Sequence, residues 1–449
     1  MYKSRLQFEI FLFIAVVFCF IAGCDCGNRT TDVGSLSRKT KNAKNVILIT
    51  VSTLRADHAG CLGYKKDTTP NLDKFGSENI LFTNAFAASS WAMPAHGSIL
   101  TSLYPGVHGA THIDKKLAPE HRTLAEILAD NGYCTVGFCC NPQLSSELGF
   151  AQGFELYDDY SVSMMLQSMA FESQELIDIN KKRTNDLIND AAIRWLQNNT
   201  HKPFFMLLHY YDNHWDYLPP APYDKLYDPN YDGPIDGTNI AREPLFSNVP
   251  GQRDIEHIVS LYDGEIRQSD NDLGEMLAVL KEKGLFENSI IIIIGDHGEQ
   301  FYEHGHTSHH GIYDELIHVP LAISIPAAKT KGQRIDSLVS QVDILPTILD
   351  YLGIPIPEKC RGKSLMPVID GRVEKVNDFV FAEYTGGAVP DCLTVRAERY
   401  KYVEQGGESF VYDIIKDPCE QKRIFQDDFT KEITEQVKIF QQFLCQKEK

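Results

Sequence analysis

Two residues that can bind a metal ion follow the most apolar stretch of the sequence. Residues 289–294 (SIIIII) are largely β-branched, and Asp296 and His297 come soon after them. A carboxylate and an imidazole at a strand end can hold a divalent cation, although the same pair can also clamp a loop through hydrogen bonds. We favour the metal, because residues 52–58 and 209–214 are polar clusters that follow apolar stretches in the same way.

The stretches that precede these clusters have the composition of strands covered on both faces. They are residues 45–51 (NVILITV), 134–140 (CTVGFCC), 203–209 (PFFMLLH) and 289–294. Helical periodicity lies between them, at residues 124–131, 184–198 and 254–283. This alternation predicts a doubly wound α/β domain with a mainly parallel sheet and helices on both faces. In such domains the functional site lies beyond the carboxyl ends of the strands.

The pattern of the sequence changes after Ile354. Pro355 and Pro357 interrupt the chain, short predicted strands follow, and an amphipathic helix lies around residues 432–444. We expect an α/β domain over residues 45–354 and a small C-terminal α+β subdomain over residues 355–449.

Six segments in order resemble the landmarks of one enzyme family, the sulfatases of the alkaline phosphatase superfamily. The similarity runs from about Asn45 to about Ile414, and any one segment alone would be weak evidence. The segments are residues 45–64 (NVILITVSTLRADHAGCLGY), 89–109 (SSWAMPAHGSILTSLYPGVHG), 295–306 (GDHGEQFYEHGH), 310–321 (HGIYDELIHVPL), 341–354 (QVDILPTILDYLGI) and 396–404 (RAERYKYVE).

The resemblance implies a hydrolase of sulfuric esters, with phosphate esters as an alternative. It also implies a divalent cation, usually calcium, held by oxygen ligands, and a formylglycine nucleophile made from Cys or Ser. Asp296 and His297 stand where the family has its Asp-Asn or Asp-His metal pair.

Two positions depart from the family pattern. Ser52 stands where a metal-binding acidic residue is expected, and a neutral hydroxyl is the weaker ligand. Ala92 stands at the nucleophile position, so no formylglycine can form there and covalent catalysis at that position is excluded. Asp57 is a poor substitute ligand because its counterpart in relatives is structural. Ser89, Ser90 and Ser98 are better explained as helix-capping residues than as replacement nucleophiles.

Histidines complete the predicted pocket. The resemblance implies that His214 protonates the leaving group and that His310 takes the place of a substrate-facing Lys, while His96 stands where many sulfatases have Arg. A lone histidine is often structural, so both interpretations of His214 and His310 stay open. His304, His306 and His309 form either a second metal site or, as we favour, a solvated loop.

The overall charge limits the partners. The chain has 61 acidic and 43 basic side chains and a net charge of -18. Nucleic acid is therefore excluded as the expected ligand, because phosphate binding requires a basic surface. The resemblance instead implies a sulfated or phosphorylated small molecule or glycan.

The N-terminus predicts export. Lys3 and Arg5 precede the apolar residues 8–22, and residues 21–24 (IAGC) are similar to the cleavage site of bacterial lipoproteins. We expect a signal peptide over residues 1–23, a lipid on Cys24, a flexible tether over residues 24–44, and an envelope membrane as the location. A membrane-spanning helix is the alternative, but the apolar run is short of the roughly 20 residues that a span needs.

Two classes of function agree with these observations. The first is an exported hydrolase, weak or inactive because of Ala92 and Ser52. The second is a non-catalytic pseudo-sulfatase that binds a sulfated glycan or a protein partner.

The anchor can be tested directly. We expect the native chain to be cut before Cys24 and to carry lipid, and Cys24→Ala to stay unprocessed and without lipid, because the cysteine is both the acylation site and the first mature residue. Mass spectrometry of the N-terminus measures this, and a soluble native product cut elsewhere would contradict it.

Overall fold

The centre of the fold is an eight-stranded sheet with the strand order β10-β2-β9-β6-β1-β5-β3-β4. Only β9 runs antiparallel to its neighbours, β2 and β6. Strands β7 and β8 pair separately as a short ribbon. The ten strands are β1 (Asn45–Val51), β2 (Ile80–Phe86), β3 (Cys134–Cys139), β4 (Leu156–Asp158), β5 (Phe204–Tyr210), β6 (Ser289–Gly295), β7 (Gln300–Phe301), β8 (Thr307–Ser308), β9 (His318–Ser324) and β10 (Gln333–Ser340). The predicted fold class, α/β with a mainly parallel sheet, is confirmed.

The structure is a computed structural model. It describes residues 44–112, 115–159, 183–238, 240, 249–326, 332–385 and 389–447. The predicted signal peptide, Cys24 and the predicted tether up to residue 43 lie outside these ranges. Within them, none of the helices has the length and hydropathy that crossing a bilayer requires.

Ten α-helices accompany the strands in the described residues. They are α1 (Pro70–Glu78), α2 (Ala92–Thr101), α3 (Pro105–His108), α4 (Leu124–Asp130), α5 (Thr184–Asn198), α6 (Gln252–Glu282), α7 (Asp314–Ile317), α8 (Ile344–Leu352), α9 (Met366–Ile369) and α10 (Lys431–Lys447). Helices α1 and α5 pack against α6, whereas α3, α4 and α8 pack against α2. Both groups pack on the same sheet, and this explains why β1, β5 and β6 are buried along their whole length.

A second sheet of five antiparallel strands forms the C-terminal part. Its strands are β11 (Phe379–Tyr384), β12 (Cys392–Ala397), β13 (Tyr400–Gln405), β14 (Glu408–Asp413) and β15 (Ile424–Phe425). One apolar cluster joins Val395 and Tyr402 of this sheet to Ile433 of α10 and to Tyr104 and Val342 of the α/β domain. The predicted α+β subdomain is therefore present and packs on the main domain.

A buried lysine also connects the α/β domain to the second sheet. Lys401 of β13 is 0% exposed, and its Nζ lies 2.8 Å from Asp314 Oδ1 and 2.8 Å from Glu420 Oε1. Burial opposes ionisation of Asp314, but Arg396 and Lys401 outweigh it and hold the pKa of that carboxyl below its usual value. The α/β domain and the second sheet thus share one buried ion cluster, which would be left with unpaired charge if the lysine were lost.

This cluster generates a stability prediction. Lys401→Met is expected to lower the free energy of unfolding by about 3–5 kcal/mol, because Asp314 and Glu420 then stay buried without their shared cation. Lys375→Met is the control, since its pair with Asp378 is exposed, and its effect should be within about 0.5 kcal/mol. Urea denaturation measures both, and equal losses would contradict the argument.

Candidate metal centre and active site

The site begins where three parallel strands end together. Strand β1 lies between β5 and β6, with Thr50 opposite His209 and Val51 opposite Gly295. Strands β1 and β6 therefore end side by side. Just beyond their ends, the N–H of Asp296 donates to the carbonyl of Val51 at 3.0 Å. Ser52 and Asp296 are therefore neighbours, as the carboxyl ends of adjacent parallel strands must be.

Asp296 is the most constrained group at this edge. Its Oδ1 accepts hydrogen bonds from the backbone N–H of Thr53 at 2.9 Å and of His297 at 2.7 Å. Its Oδ2 is buried and has no hydrogen-bond partner among the described residues. Burial raises the pKa of this carboxyl to about 6. An unpaired buried carboxylate oxygen is costly unless a cation approaches it.

Two histidines lie against Asp296. One ligand atom from each of His96, His209 and Asp296 can be chosen so that all three lie within 4.8 Å of one another, and all three residues are buried. His96 Nδ1 is 2.8 Å from the carbonyl oxygen of Ala92, and His96 Nε2 is 2.9 Å from Thr50 Oγ1, which is also 2.9 Å from His209 Nδ1. Burial lowers the pKa of both imidazoles, so they are neutral and can serve as ligands.

The loop after β1 holds an unfavourable backbone conformation. Thr53 has φ of 50°, in the left-handed region that non-glycine residues rarely adopt. Three contacts from three parts of the chain hold it there. Its N–H donates to Asp296, its hydroxyl donates to the carbonyl of Asn213 at 3.0 Å, and its carbonyl accepts from the hydroxyl of Tyr262 at 2.6 Å. Strain of this kind persists where surrounding contacts enforce it, often at functional sites.

Asp57 serves the scaffold. Its two carboxylate oxygens accept from Arg55 Nε at 2.9 Å and Nη2 at 2.7 Å. Arg55 also donates to the carbonyl of Glu299 at 2.9 Å and pairs with Glu303 at 2.5 Å. The Arg55 guanidinium therefore connects the loop after β1 to the loop after β6. Asp57 takes part in this connection because both of its carboxylate oxygens bind Arg55.

A second histidine cluster lies beside the first. The ring of His309 is 4.7 Å from that of His297 and 5.4 Å from that of His214, and His309 Nδ1 is 3.4 Å from Glu299 Oε1. Burial lowers the pKa of His297 to about 4 and that of His214 to about 3. These neutral imidazoles can accept a proton from a reacting group or hydrogen-bond an anionic ligand.

The position predicted for the nucleophile carries only a methyl group. Ala92 is the first residue of α2 and is 4% exposed. Ser90 is not free to replace it, because its Oγ lies 3.1 Å from the carbonyl oxygen of His309 and 2.7 Å from that of Gly311. Ser98 lies inside α2, with its Oγ 3.2 Å from His108 Nε2. The prediction that these serines cap the helix is wrong, because its N-cap residue is Trp91 and no side chain caps it. Ser52 Oγ is buried and has no hydrogen-bond partner in the described part of the chain.

His310 faces a different neighbour from His309. Its Nδ1 is 3.1 Å from the hydroxyl of Tyr384, and its ring is 6.0 Å from that of Trp91. It therefore links the site to strand β11 of the second sheet, while His309 makes the contacts with His297 and His214.

Two functional candidates were not singled out from the sequence: His209 and Glu299. The favoured assignment of His309 to a solvated loop is wrong, because His309 is 4% exposed. His209 is the polar residue within the apolar 203–209 stretch, and this was the available signal. Its proximity to His96 depends on β5 lying beside β1, which the order of the strands in the sequence does not reveal.

Comparison with known proteins now identifies the family. The sequence pattern described as sulfatase matches residues 44–354, and the pattern described as N-sulphoglucosamine sulphohydrolase, C-terminal, matches residues 302–447. The first match covers more than half of the chain. The chain therefore belongs to the sulfatase family, as its motifs predicted.

Individual relatives agree with this assignment. An arylsulfatase of Clostridium perfringens is 25% identical over 441 residues, which cover 86% of this chain and 91% of that protein. A phosphonate monoester hydrolase of Agrobacterium radiobacter has a TM-score of 0.78 and 23% identity, covering 90% of this chain and 96% of its own. A protein solved in complex with its substrate D-glucosamine-2-N,6-O-disulfate has a TM-score of 0.73 and 20% identity, covering 90% of this chain and 98% of its own. The two structural likenesses establish the shared fold.

Family membership indicates a divalent metal ion, and the residues present fit one. Asp296 Oδ2, His297 Nε2 and Ser52 Oγ are buried without hydrogen-bond partners within the described ranges. Buried polar atoms in native proteins are normally paired, so unpaired atoms on adjacent residues after β1 and β6 fit a cation at this edge.

The strained loop supplies a test of the site's construction. Tyr262→Phe is expected to lower the free energy of unfolding by about 1–2 kcal/mol, because the buried carbonyl of Thr53 and the N–H of Arg55, 3.2 Å from the same hydroxyl, lose their partner. Tyr227→Phe removes a hydroxyl that donates to Asp67 near the surface, and this control should cost less than about 0.5 kcal/mol. Thermal and urea unfolding decide it. A loss no larger than that of the control would show that Thr53 is held by other contacts.

Proposed function

We propose that the chain binds sulfate esters of sugars at the ends of β1, β5 and β6, with a divalent cation, and hydrolyses them weakly or not at all. The observation that carries the proposal is Ala92 at the start of α2, surrounded by a retained set of metal-binding and proton-accepting side chains. The pocket keeps its binding groups while the group that would form a covalent intermediate is absent.

The cation would be held by Asp296 with neighbouring imidazoles. When bound, a divalent ion supplies electrostatic polarisation of the ester's sulfate oxygens. Calcium is the ion that the family resemblance implies, and it prefers six to eight oxygen ligands. The carboxylate of Glu299 lies beside His309. Among the described residues at or directly after the ends of β1 and β6, the side chains that can give oxygen are the carboxylate of Asp296 and the hydroxyls of Ser52, Thr53 and Thr50. This set has only one negative charge, and Thr53 is already committed to Asn213.

The chain's own residues suggest how an ester would be oriented. The neutral rings of His214 and His309 lie beside one another, and His309 also contacts His297, the residue after Asp296. A ring N–H can donate to a sulfate oxygen, and a ring lone pair can take a proton from water. We favour attack by water, since Ala92 has no oxygen or sulfur and Ser90 is engaged.

The ligand class is supported by relatives rather than by a bound molecule. One structural relative was solved with a disulfated glucosamine as its substrate, and another is a phosphonate monoester hydrolase. A sulfated sugar is therefore the first ligand to test, with phosphoryl esters as the second. The N-terminal sequence supports an exported chain anchored through Cys24, where environmental glycans are accessible.

A non-catalytic binding role is the second candidate, and the same Ala92 favours it. It differs from the first in one respect, which is that the ester is bound and left intact. Binding of a sulfated disaccharide without any product distinguishes this role from slow hydrolysis.

The activity prediction concerns positions 52 and 92 together. We expect native protein to hydrolyse 4-nitrophenyl sulfate and 4-nitrophenyl phosphate at background rates. The double variant Ser52→Asp with Ala92→Cys, made in a host that converts the cysteine to formylglycine, should exceed it by at least about 100-fold, because loss of a nucleophile removes several orders of magnitude in rate. Each single variant should gain little, since one lacks the nucleophile and the other the anionic ligand.

The same double variant from a host that cannot convert the cysteine is the control and should stay near background. Clear metal-dependent turnover by the native protein would contradict the prediction. It would show that water or another side chain attacks in place of residue 92.

A further inference from the structure

The donor atoms around Asp296 are richer in nitrogen than a calcium site. His96 and His209 contribute two imidazoles, and Asp296 contributes one carboxylate, with ligand atoms within 4.8 Å of one another. Calcium and magnesium bind oxygen ligands, whereas imidazole suits zinc and other first-row transition metals. Two histidines and one carboxylate also match the number and type of protein ligands in zinc sites that keep one position open.

We propose that His96, His209 and Asp296 form a binding site for zinc or a similar transition-metal ion in place of calcium. The inference rests on the proposed function only in assigning a metal ion to this pocket. It assigns His96 and His209 as metal ligands.

The hydrogen bonds of His96 favour its use as a ligand. A carbonyl oxygen only accepts, so the ring nitrogen that faces the carbonyl of Ala92 at 2.8 Å, Nδ1, carries the proton. Nε2 therefore presents its lone pair away from that carbonyl. Metal-binding histidines are commonly fixed in this way, with one nitrogen donating to a carbonyl and the other free to bind the ion.

The hydroxyl of Thr50 has more than one possible hydrogen-bond partner. Its hydroxyl lies 2.9 Å from His96 Nε2 and 2.9 Å from His209 Nδ1, and the carbonyl oxygen of Leu208 is 3.5 Å away. When an ion takes the lone pair of His96, the hydroxyl can turn its proton to Leu208. No backbone movement is required for that exchange.

A second, independent observation indicates a cation. Asp296 Oδ2 is buried and has no hydrogen-bond partner in the described ranges, although Oδ1 of the same carboxylate has two. His297 Nε2, one residue along, is buried and unpaired among the described residues as well. The ring nitrogens of His96 and His209 all have contacts, including His209 Nε2 at 3.4 Å from Asn141 Nδ2. The missing partner of Asp296 Oδ2 is therefore the observation that indicates a cation here.

The test is metal selectivity of the full chain without substrate. After treatment with chelator, calorimetric titration is expected to give zinc an affinity at least about 100-fold higher than that of calcium, following the ligand preference for imidazole. His96→Gln and His209→Gln should each weaken zinc binding at least about tenfold. Both should change calcium binding much less, and Asp296→Asn should abolish zinc binding.

Two histidines elsewhere provide controls. His108→Gln changes a buried histidine bonded to Pro94 and Ser98, and His306→Gln changes an exposed loop histidine. Both should leave zinc affinity unchanged, which separates the site from general destabilisation and from adventitious surface binding. Cobalt(II) provides a measurement that needs no variant, since nitrogen ligation in a four-coordinate site gives visible absorption bands that zinc should displace.

Tighter binding of calcium than of zinc would overturn the proposal, as would zinc binding that is unchanged in both His96→Gln and His209→Gln. An absence of visible cobalt bands on the native chain would do the same even if the variants fail to fold. None of these results depends on hydrolysis, so a failure here is distinct from a failure of the proposed function.

Discussion

The pocket depends on the carboxylate of Asp296 bonded to two backbone N–H groups. One N–H belongs to Thr53 after β1, and the other belongs to His297 after β6. The first bond joins two loops that are 243 residues apart in sequence, and it helps to enforce the left-handed conformation of Thr53. Hydrogen bonds to an ionised acceptor are among the stronger ones in proteins, so the loops are positioned by the same group that would bind the ion.

This arrangement explains why parts of the fold and site could be predicted. Strands β1, β5 and β6 are buried on both faces, so their sequences are apolar throughout and easy to recognise. Polar residues directly after such strands must lie at one edge of the sheet, which made Ser52 and Asp296 candidates before any coordinates. Tertiary packing determines the order of the strands across the sheet and the direction in which loop side chains point. For this reason the contact between His96 and His209, and the inward placement of His309 rather than His310, needed the structure.

Two positions of the site that depart from the predicted family pattern, 52 and 96, differ from it in charge in opposite directions. By the resemblance to sulfatases, Ser52 stands where a carboxylate is expected and His96 stands where Arg is common, and burial lowers the pKa of the His96 imidazole and keeps it neutral. One negative and one positive charge are lost together, which keeps a buried pocket close to neutral and limits the cost of desolvation. The guanidinium could not have bound a cation, whereas the imidazole can. With the proposed zinc site, these residues would give the pocket nitrogen ligands in place of the oxygen ligands that the resemblance to sulfatases implies.

Ala92, at the position predicted for the nucleophile, is constrained by its contacts. Its side chain has no chemistry to offer, but its carbonyl oxygen holds His96 Nδ1 and thereby the orientation of the ring. That bond spans one turn of α2 and depends on Ala92 remaining helical, and Trp91 before it packs on His309 with ring centroids 5.2 Å apart. The start of α2 therefore organises both histidine clusters through its backbone and its neighbour. Burying Asp296 with an unpaired oxygen is costly. Apolar side chains in its place would remove that cost. The presence of Asp296 beside these histidine contacts therefore favours a pocket that binds a ligand.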